Sequence, residues 1–168
     1  MLTRLPDGTP LYIRPIRPDD KLLLESGLER LSEASRYKRF LGPKHRFTEG
    51  ELRYLTELDG HDHVALVAAP IDHPDWIAGV GRFVRLEDDP ETAEFAIVVG
   101  DPYQGRGLGT ALARELVADA SLLGIRHFTA TILSDNVAVR RLVQRIGKHL
   151  TYVPAGAGAR EVVADIAA

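Results

Sequence analysis

The sequence predicts an α/β protein, a mixed and mostly antiparallel sheet of about seven strands with helices on both faces. Three observations predict it. Apolar segments of strand length alternate with segments whose apolar residues recur every three to four positions. Their order is a strand, two or three helices, three antiparallel strands, a helix, a strand, a helix and two last strands. The 168 residues, 45% hydrophobic and 27% charged, suffice for one core, so residues 1–168 are read as a single domain.

Taken in order, Asp7-Gly8 marks a turn before a first strand at 9–16. Pro18 opens a helix with Asp19 and Asp20 in its first turn, where carboxylates suit the dipole, and with Leu22, Leu23, Leu24 and Leu28 for burial. Ser32 caps a second helix over Glu33–Phe40, and Gly42-Pro43 stops it. Thr48 and Glu51 form a capping box for a third helix ending near residue 58. Strands at 63–69 and 76–85 flank the turn Asp72-His73-Pro74-Asp75; Gly79 and Gly81 in the second allow a bend or close packing. A charged turn at 86–90 joins it in a hairpin to a strand at 93–99. A long helix follows, with Leu108, Leu112, Leu116, Ala120 and Leu123 on one face and Gly124 at its end. A strand at 127–132, a helix at 136–145 and a terminal strand pair at 150–153 and 160–166 complete the chain.

Composition narrows the function. The net charge of −3 suggests neither a nucleic-acid nor an anionic-membrane surface. With no cysteine there is no disulfide framework, thiolate metal site or cysteine nucleophile. No apolar run approaches the ~20 residues that span a bilayer, and residues 1–8 lack a secretion-signal pattern, so the expected location is cytoplasmic. The six histidines form no metal motif, and no metal is expected.

The chain is organised around residues 93–123. A strand feeds a short turn, then Gln104-Gly105-Arg106-Gly107-Leu108-Gly109-Thr110, which opens the long helix. The first N–H groups of a helix lack internal partners and carry partial positive charge, and glycines let a phosphate approach them. This reads as an anion site for the pyrophosphate of a cofactor. The spacing of Gly105, Gly107 and Gly109 does not fit the dinucleotide fingerprint, and the loop has no lysine for a Walker motif. A tight turn that uses glycine only for positive φ is the plainer alternative.

Gln104 to Gly109 resemble the Q/R-x-x-G-x-G/A signature of the GNAT superfamily of acyl-CoA N-acyltransferases, with a strand before the motif and a long helix after it. Ile13 to Asp20, Leu31 to Phe40 and Ala93 to Ala96 look like the GNAT domain of bacterial Pat-type protein lysine acetyltransferases. The resemblance covers about residues 10–150. It implies a GNAT-like fold with a splayed central strand pair. It implies an acetyl-CoA-dependent N-acetyltransferase with a protein lysine as acceptor and acetyl-CoA as co-substrate. A small-molecule amine is the other acceptor class, a homodimer is admitted, and a non-catalytic acyl-CoA-binding module is the rival reading.

Acetyl transfer needs a neutral amine, whereas a free lysine with a pKa near ~10.4 is almost wholly protonated at pH 7. A base is therefore expected. Glu94 is the candidate, the one carboxylate in an otherwise apolar strand that reads as central, where burial would raise its pKa. The resemblance puts the catalytic glutamate at this position; the alternative is a pairing with an arginine such as Arg82. By the same resemblance the N–H of Ile97 polarises the thioester, Val98 and Val99 supply backbone groups, with Val99 pairing with pantetheine, and Asn136 touches the pantetheine arm. Gln104, Gly105, Arg106, Gly107, Leu108, Gly109 and Thr110 hold the pyrophosphate. Arg106 either adds a charge contact or is solvated, and one of Arg140, Arg141 and Arg145 is a candidate for the 3′-phosphate. The chain departs from the pattern at Val143, where many GNAT enzymes carry a tyrosine acid, and at Gly147-Lys148, where Gly-Phe is usual. Either no acid is used, since a thiol is acidic enough to leave largely unassisted, or Tyr152 or Tyr103 substitutes.

Overall fold

A computed structural model describes residues 1–166. Strand β1 (Leu2–Arg4) turns into β2 (Pro10–Pro15), and helices α1 (Lys21–Arg30), α2 (Glu33–Phe40) and α3 (Glu49–Thr56) follow. Next come β3 (His63–Pro70), β4 (Gly79–Arg85) and β5 (Thr92–Val99), then α4 (Leu108–Leu122), β6 (His127–Leu133), α5 (Val137–Ile146), β7 (Lys148–Gly156) and β8 (Ala159–Asp165). The strands form one sheet in the order β1-β2-β3-β4-β5-β6-β8-β7. Every neighbouring pair is antiparallel except β5 and β6.

The sheet has eight strands rather than seven. The extra one is β1, paired through Leu2↔Tyr12, Thr3↔Leu11 and Arg4↔Pro10; three residues are too few to show a period. The strand expected from residue 76 starts at Gly79, because residues 71–78 are spent on turns, with Trp76 lying against the Arg30 guanidinium at 3.9 Å.

Helices cover both faces. α4 lies on one, its Leu108, Leu112, Leu116 and Ala120 fully buried with Phe83, Phe95 and Phe128. Gly79 and Gly81 permit this: a Cβ on Gly81 would sit 2.7 Å from Leu116 Cδ1, and one on Gly79 3.1 Å from Leu112 Cδ1. The glycines thus bring helix and sheet into close contact rather than bending the strand. On the other face, Leu24 of α1 and Leu52 of α3 pack with Ala65, Val67 and Val80.

The feature that makes a site is the parting of β5 and β6. They pair only through Thr92↔His127, Ala93↔Phe128 and Glu94↔Thr129. Beyond Glu94, β5 continues to Val99 along β4 while β6 continues along β8, leaving a gap inside the sheet. The pair is parallel and is therefore joined by a crossover, the connection through α4.

Candidate active site

The glycine loop and the parted strands meet in one cleft of about 390 Å³. Its floor is Ile97, Val98 and Val99 of β5; its rim is Gly105, Gly107, Leu108, Gly109 and Thr110; and Asn136, Ala138, Arg141 and Arg145 close it from α5. Alternation along β5 sends Ile97 and Val99 to the α4 core and Val98 to the opposite one, so the cleft meets mainly their backbone. The edge of β5 that β6 abandons carries backbone donors and acceptors with no strand beside them.

The loop is built as an anion cradle. Gly105 and Gly107 have φ of +71° and +90°, values that other residues rarely take. Left-handed residues at such a loop turn neighbouring N–H groups toward the same side. Among the described residues, no acceptor is found for the N–H groups of Gly105, Arg106, Gly107, Leu108, Gly109 or Thr110. They open a helix of 15 residues, where the dipole favours negative charge.

Two side chains of the loop do other work. Arg106 turns away from the cleft: its Nε donates to Asp7 Oδ2 at 2.7 Å and its Nη1 to the Pro102 carbonyl at 3.2 Å. The guanidinium is held by partners within the protein rather than simply solvated, and hydrogen bonding from it pulls Asp7 down to about 2. Gln104 donates from Nε2 to Ser35 Oγ and to the Val99 carbonyl, both at 3.0 Å. Ser35 Oγ in turn donates to Asp101 Oδ1 at 2.8 Å, and the same carboxylate receives the N–H and hydroxyl of Ser32. Burial opposes the charge on Asp101, yet these donors hold it below its ordinary value. The network ties the start of α2 to the loop. Asn136 is buried, and its side-chain oxygen caps α5 by accepting from Val139 N at 3.3 Å.

A second cavity of about 250 Å³ opens where β5 and β6 diverge, lined by Glu94 and Ala96 of β5, Thr131 of β6, and Lys38 and Arg39 of α2. Here one expectation is corrected. Glu94 is exposed, not buried, because pairing with β6 ends at this residue and its side chain faces the gap. Nor does it pair with Arg82. That guanidinium is buried on the neighbouring strand and donates to the Leu55 carbonyl at 3.3 Å, with His63 Nε2 at 3.1 Å. Among the described residues the Glu94 carboxylate has no hydrogen-bond or ion-pair partner within the protein.

Val143 is buried with Ala130, Ile132, Val162 and Ala164 and presents nothing to either cavity. Tyr103 lines the larger cleft, whereas Tyr152 lines neither, its hydroxyl buried without a partner among the described residues. Of the three basic residues of α5, Arg141 and Arg145 reach the cleft and Arg140 does not. Sequence reasoning about single motifs missed Lys38 and Arg39, whose place depends on how α2 folds over β5. Among the described residues no histidine–carboxylate group is arranged to hold a metal ion, and no helix is long and apolar enough to cross a membrane.

Residues 10–149 match the family described as Acetyltransferase (GNAT) domain. The acetyltransferase Pat of Mycolicibacterium smegmatis is 36% identical over 140 residues, which are 83% of this chain and 41% of Pat, so the chain spans well under half of that relative. The acetyltransferase PA5475 of Pseudomonas aeruginosa is 32% identical over 146 residues, 85% of this chain and 77% of that protein. The crystal structure of the GNAT domain of S. lividans PAT superposes with a TM-score of 0.87 at 29% identity, covering 98% of this chain and 96% of that one. Cleft, glycine cradle and parted strands therefore sit in a frame shared with these relatives, and the chain belongs to the GNAT acetyltransferase domain family.

Proposed function

We propose that the chain moves an acetyl group from acetyl-CoA to a primary amine, with a protein lysine as the acceptor and Glu94 as general base. The row of unpaired N–H groups from Gly105 to Thr110 carries the reading, since a diphosphate is the ligand such a cradle suits. Arg141 and Arg145 add positive charge from α5, and the free edge of β5 offers backbone groups to an amide-bearing pantetheine arm. The N–H of Ile97 is assigned to the thioester oxygen, where a fixed donor stabilises developing negative charge.

The chemistry is a direct displacement. The neutral amine nitrogen attacks the thioester carbonyl carbon; a C–N bond forms, the C–S bond breaks, and CoA leaves as its thiolate. The amine sheds two protons in all: the ammonium proton passes first to the Glu94 carboxylate, directly or through one water, and on to solvent, and the proton left on nitrogen after attack follows the same route to solvent or the thiolate as the C–S bond breaks. The products are the N-acetyl amine and CoA. Exposure of Glu94 suits this task in one respect, because the proton it takes can be returned to water. No tyrosine acid is required, because a thiol is acidic enough to leave as its anion.

Burial of Val143 favours a second reading, an acyl-CoA-binding module without turnover, since α5 then offers no hydroxyl to the leaving group. One experiment separates the two: acetyl-CoA titrated by calorimetry, then incubated with chain and lysine peptide while free thiol is followed. Binding with thiol release dependent on the peptide is the expected result. Binding without release supports the module, and no binding removes both.

A further inference from the structure

We propose that the acceptor carries a carboxylate close to its reacting amine, and that Arg39 receives it. This rests on the acetyltransferase reading and names the acceptor class for that site. Arg39 lies in the last turn of α2 and lines both the cavity around Glu94 and the neighbouring cleft. Among the described residues its half-buried guanidinium makes no hydrogen bond and no ion pair; it rests over the Phe40 ring at 4.9 Å. Desolvation works against its charge, and the one carboxylate acting on it is that of Glu94.

The surroundings make the imbalance larger. Arg82, 6% exposed on β4 opposite Ala96, acts repulsively on Arg39, and its own polar neighbours are a carbonyl and His63. His63 is held down to about 4 by burial and by Arg82, so it is neutral near pH 7 and cancels nothing. Lys38 adds a second cation to the cavity wall beside Arg39, with Arg82 on the adjacent strand outside the lining. Glu94 is the one carboxylate on that wall. An acceptor that arrives as its ammonium brings one more positive charge, which Glu94 removes only by taking the proton and losing its own charge, whereas a carboxylate on the same molecule corrects the balance. Buried cations are stabilised by such pairing, and the planar fork of arginine holds a carboxylate through two parallel hydrogen bonds.

A cavity of about 250 Å³ accommodates a free aminocarboxylate, or a lysine side chain with an aspartate or glutamate beside it. The rival ligand for Arg39 is a phosphate of CoA. Arg141 and Arg145 on α5 are placed for that role, while the charges coupled to Arg39 belong to Glu94 and Arg82.

The test uses the full chain at saturating acetyl-CoA and follows thiol release. One arm compares free amino acids with their amides; the other compares a lysine peptide flanked by aspartates with one flanked by asparagines. The arm with the larger difference identifies the source of the carboxylate. The acid of each pair is expected to exceed its neutral partner by about tenfold or more in kcat/KM, mostly through KM. Arg39→Gln should level acid and neutral acceptors without changing acetyl-CoA affinity by calorimetry, and Arg39→Lys should keep part of the preference. Equal rates for acid and amide in the unaltered chain overturn the proposal, as does acetyl-CoA binding with no turnover of any acceptor. So does an Arg39→Gln variant that weakens acetyl-CoA while keeping the acid preference, because Arg39 then serves the phosphates. Should Arg39→Gln fail to fold, the unaltered chain and Arg39→Lys still decide. Failure of acetyl-CoA to bind at all removes the acetyltransferase reading itself, a separate outcome.

Discussion

Alanine at Gly105 and at Gly107 tests the anion cradle by two routes. At Gly105, φ is +71° and an added Cβ meets nothing within 4 Å, so the cost is torsional alone, about 1 kcal/mol. At Gly107, φ is +90° and the Cβ would sit 3.0 Å from Pro6 Cδ, so crowding adds to strain and the cost rises to about 2 kcal/mol. The loop relieves either cost by turning its peptides, which aims the N–H groups elsewhere. Acetyl-CoA must then restore them, so its dissociation constant should rise about fivefold in Gly105→Ala and about thirtyfold in Gly107→Ala. Calorimetric titration reads both values, and thermal unfolding without ligand shows that the sheet is intact. Unchanged acetyl-CoA affinity in both variants, whatever the melting temperature, refutes the reasoning.

Glu94→Gln should leave acetyl-CoA affinity unaltered and lower kcat at pH 7 by about a hundredfold or more, with partial recovery at high pH where the amine loses its proton unaided; a pH–rate profile matching the unaltered chain removes Glu94 from the mechanism. His63, buried and depressed from 6.5 to about 4, makes the folded chain bind fewer protons than the unfolded one between those values, so stability should fall as pH drops through that window, by at most about 3 kcal/mol. Urea unfolding at pH 7 and at pH 4.5 checks this, and a His63→Gln chain that shows the same loss would assign it elsewhere. Leu112→Ala, at a fully buried site under α4, should cost about 3 kcal/mol in the same assay, and a loss under about 1 kcal/mol would mean that α4 does not anchor the core.

The sequence was legible where a local rule decides the outcome. The apolar face of α4, the Thr48–Glu51 capping box and the Ser32 cap are all present, each set within a few residues. The glycine loop was legible for a similar reason, because alternating glycines advertise backbone conformations that few other residues adopt. The exposure of Glu94 is not legible in the sequence, since an apolar strand looks the same whether its neighbour stays beside it or departs. The departure shows only in the pairing of whole strands, β5 along β4 and β6 along β8, and residue 94 carries no local mark of it. The environment of Arg106 is not legible locally, because its partner, Asp7, lies far away in sequence. Arg39 carried no signal of its own, as a basic residue on a short amphipathic helix usually faces water.

The Arg106–Asp7 pair has a consequence for how the chain tolerates change. The bend between the first two strands forms the back wall of the glycine loop, with Pro6 packed where any side chain at position 107 would go and Asp7 gripping the neighbouring guanidinium. Insertions or substitutions near the amino terminus would therefore register first as poorer nucleotide retention, before any fall in melting point. The outermost ribbon of the sheet works as a brace for the anion cradle.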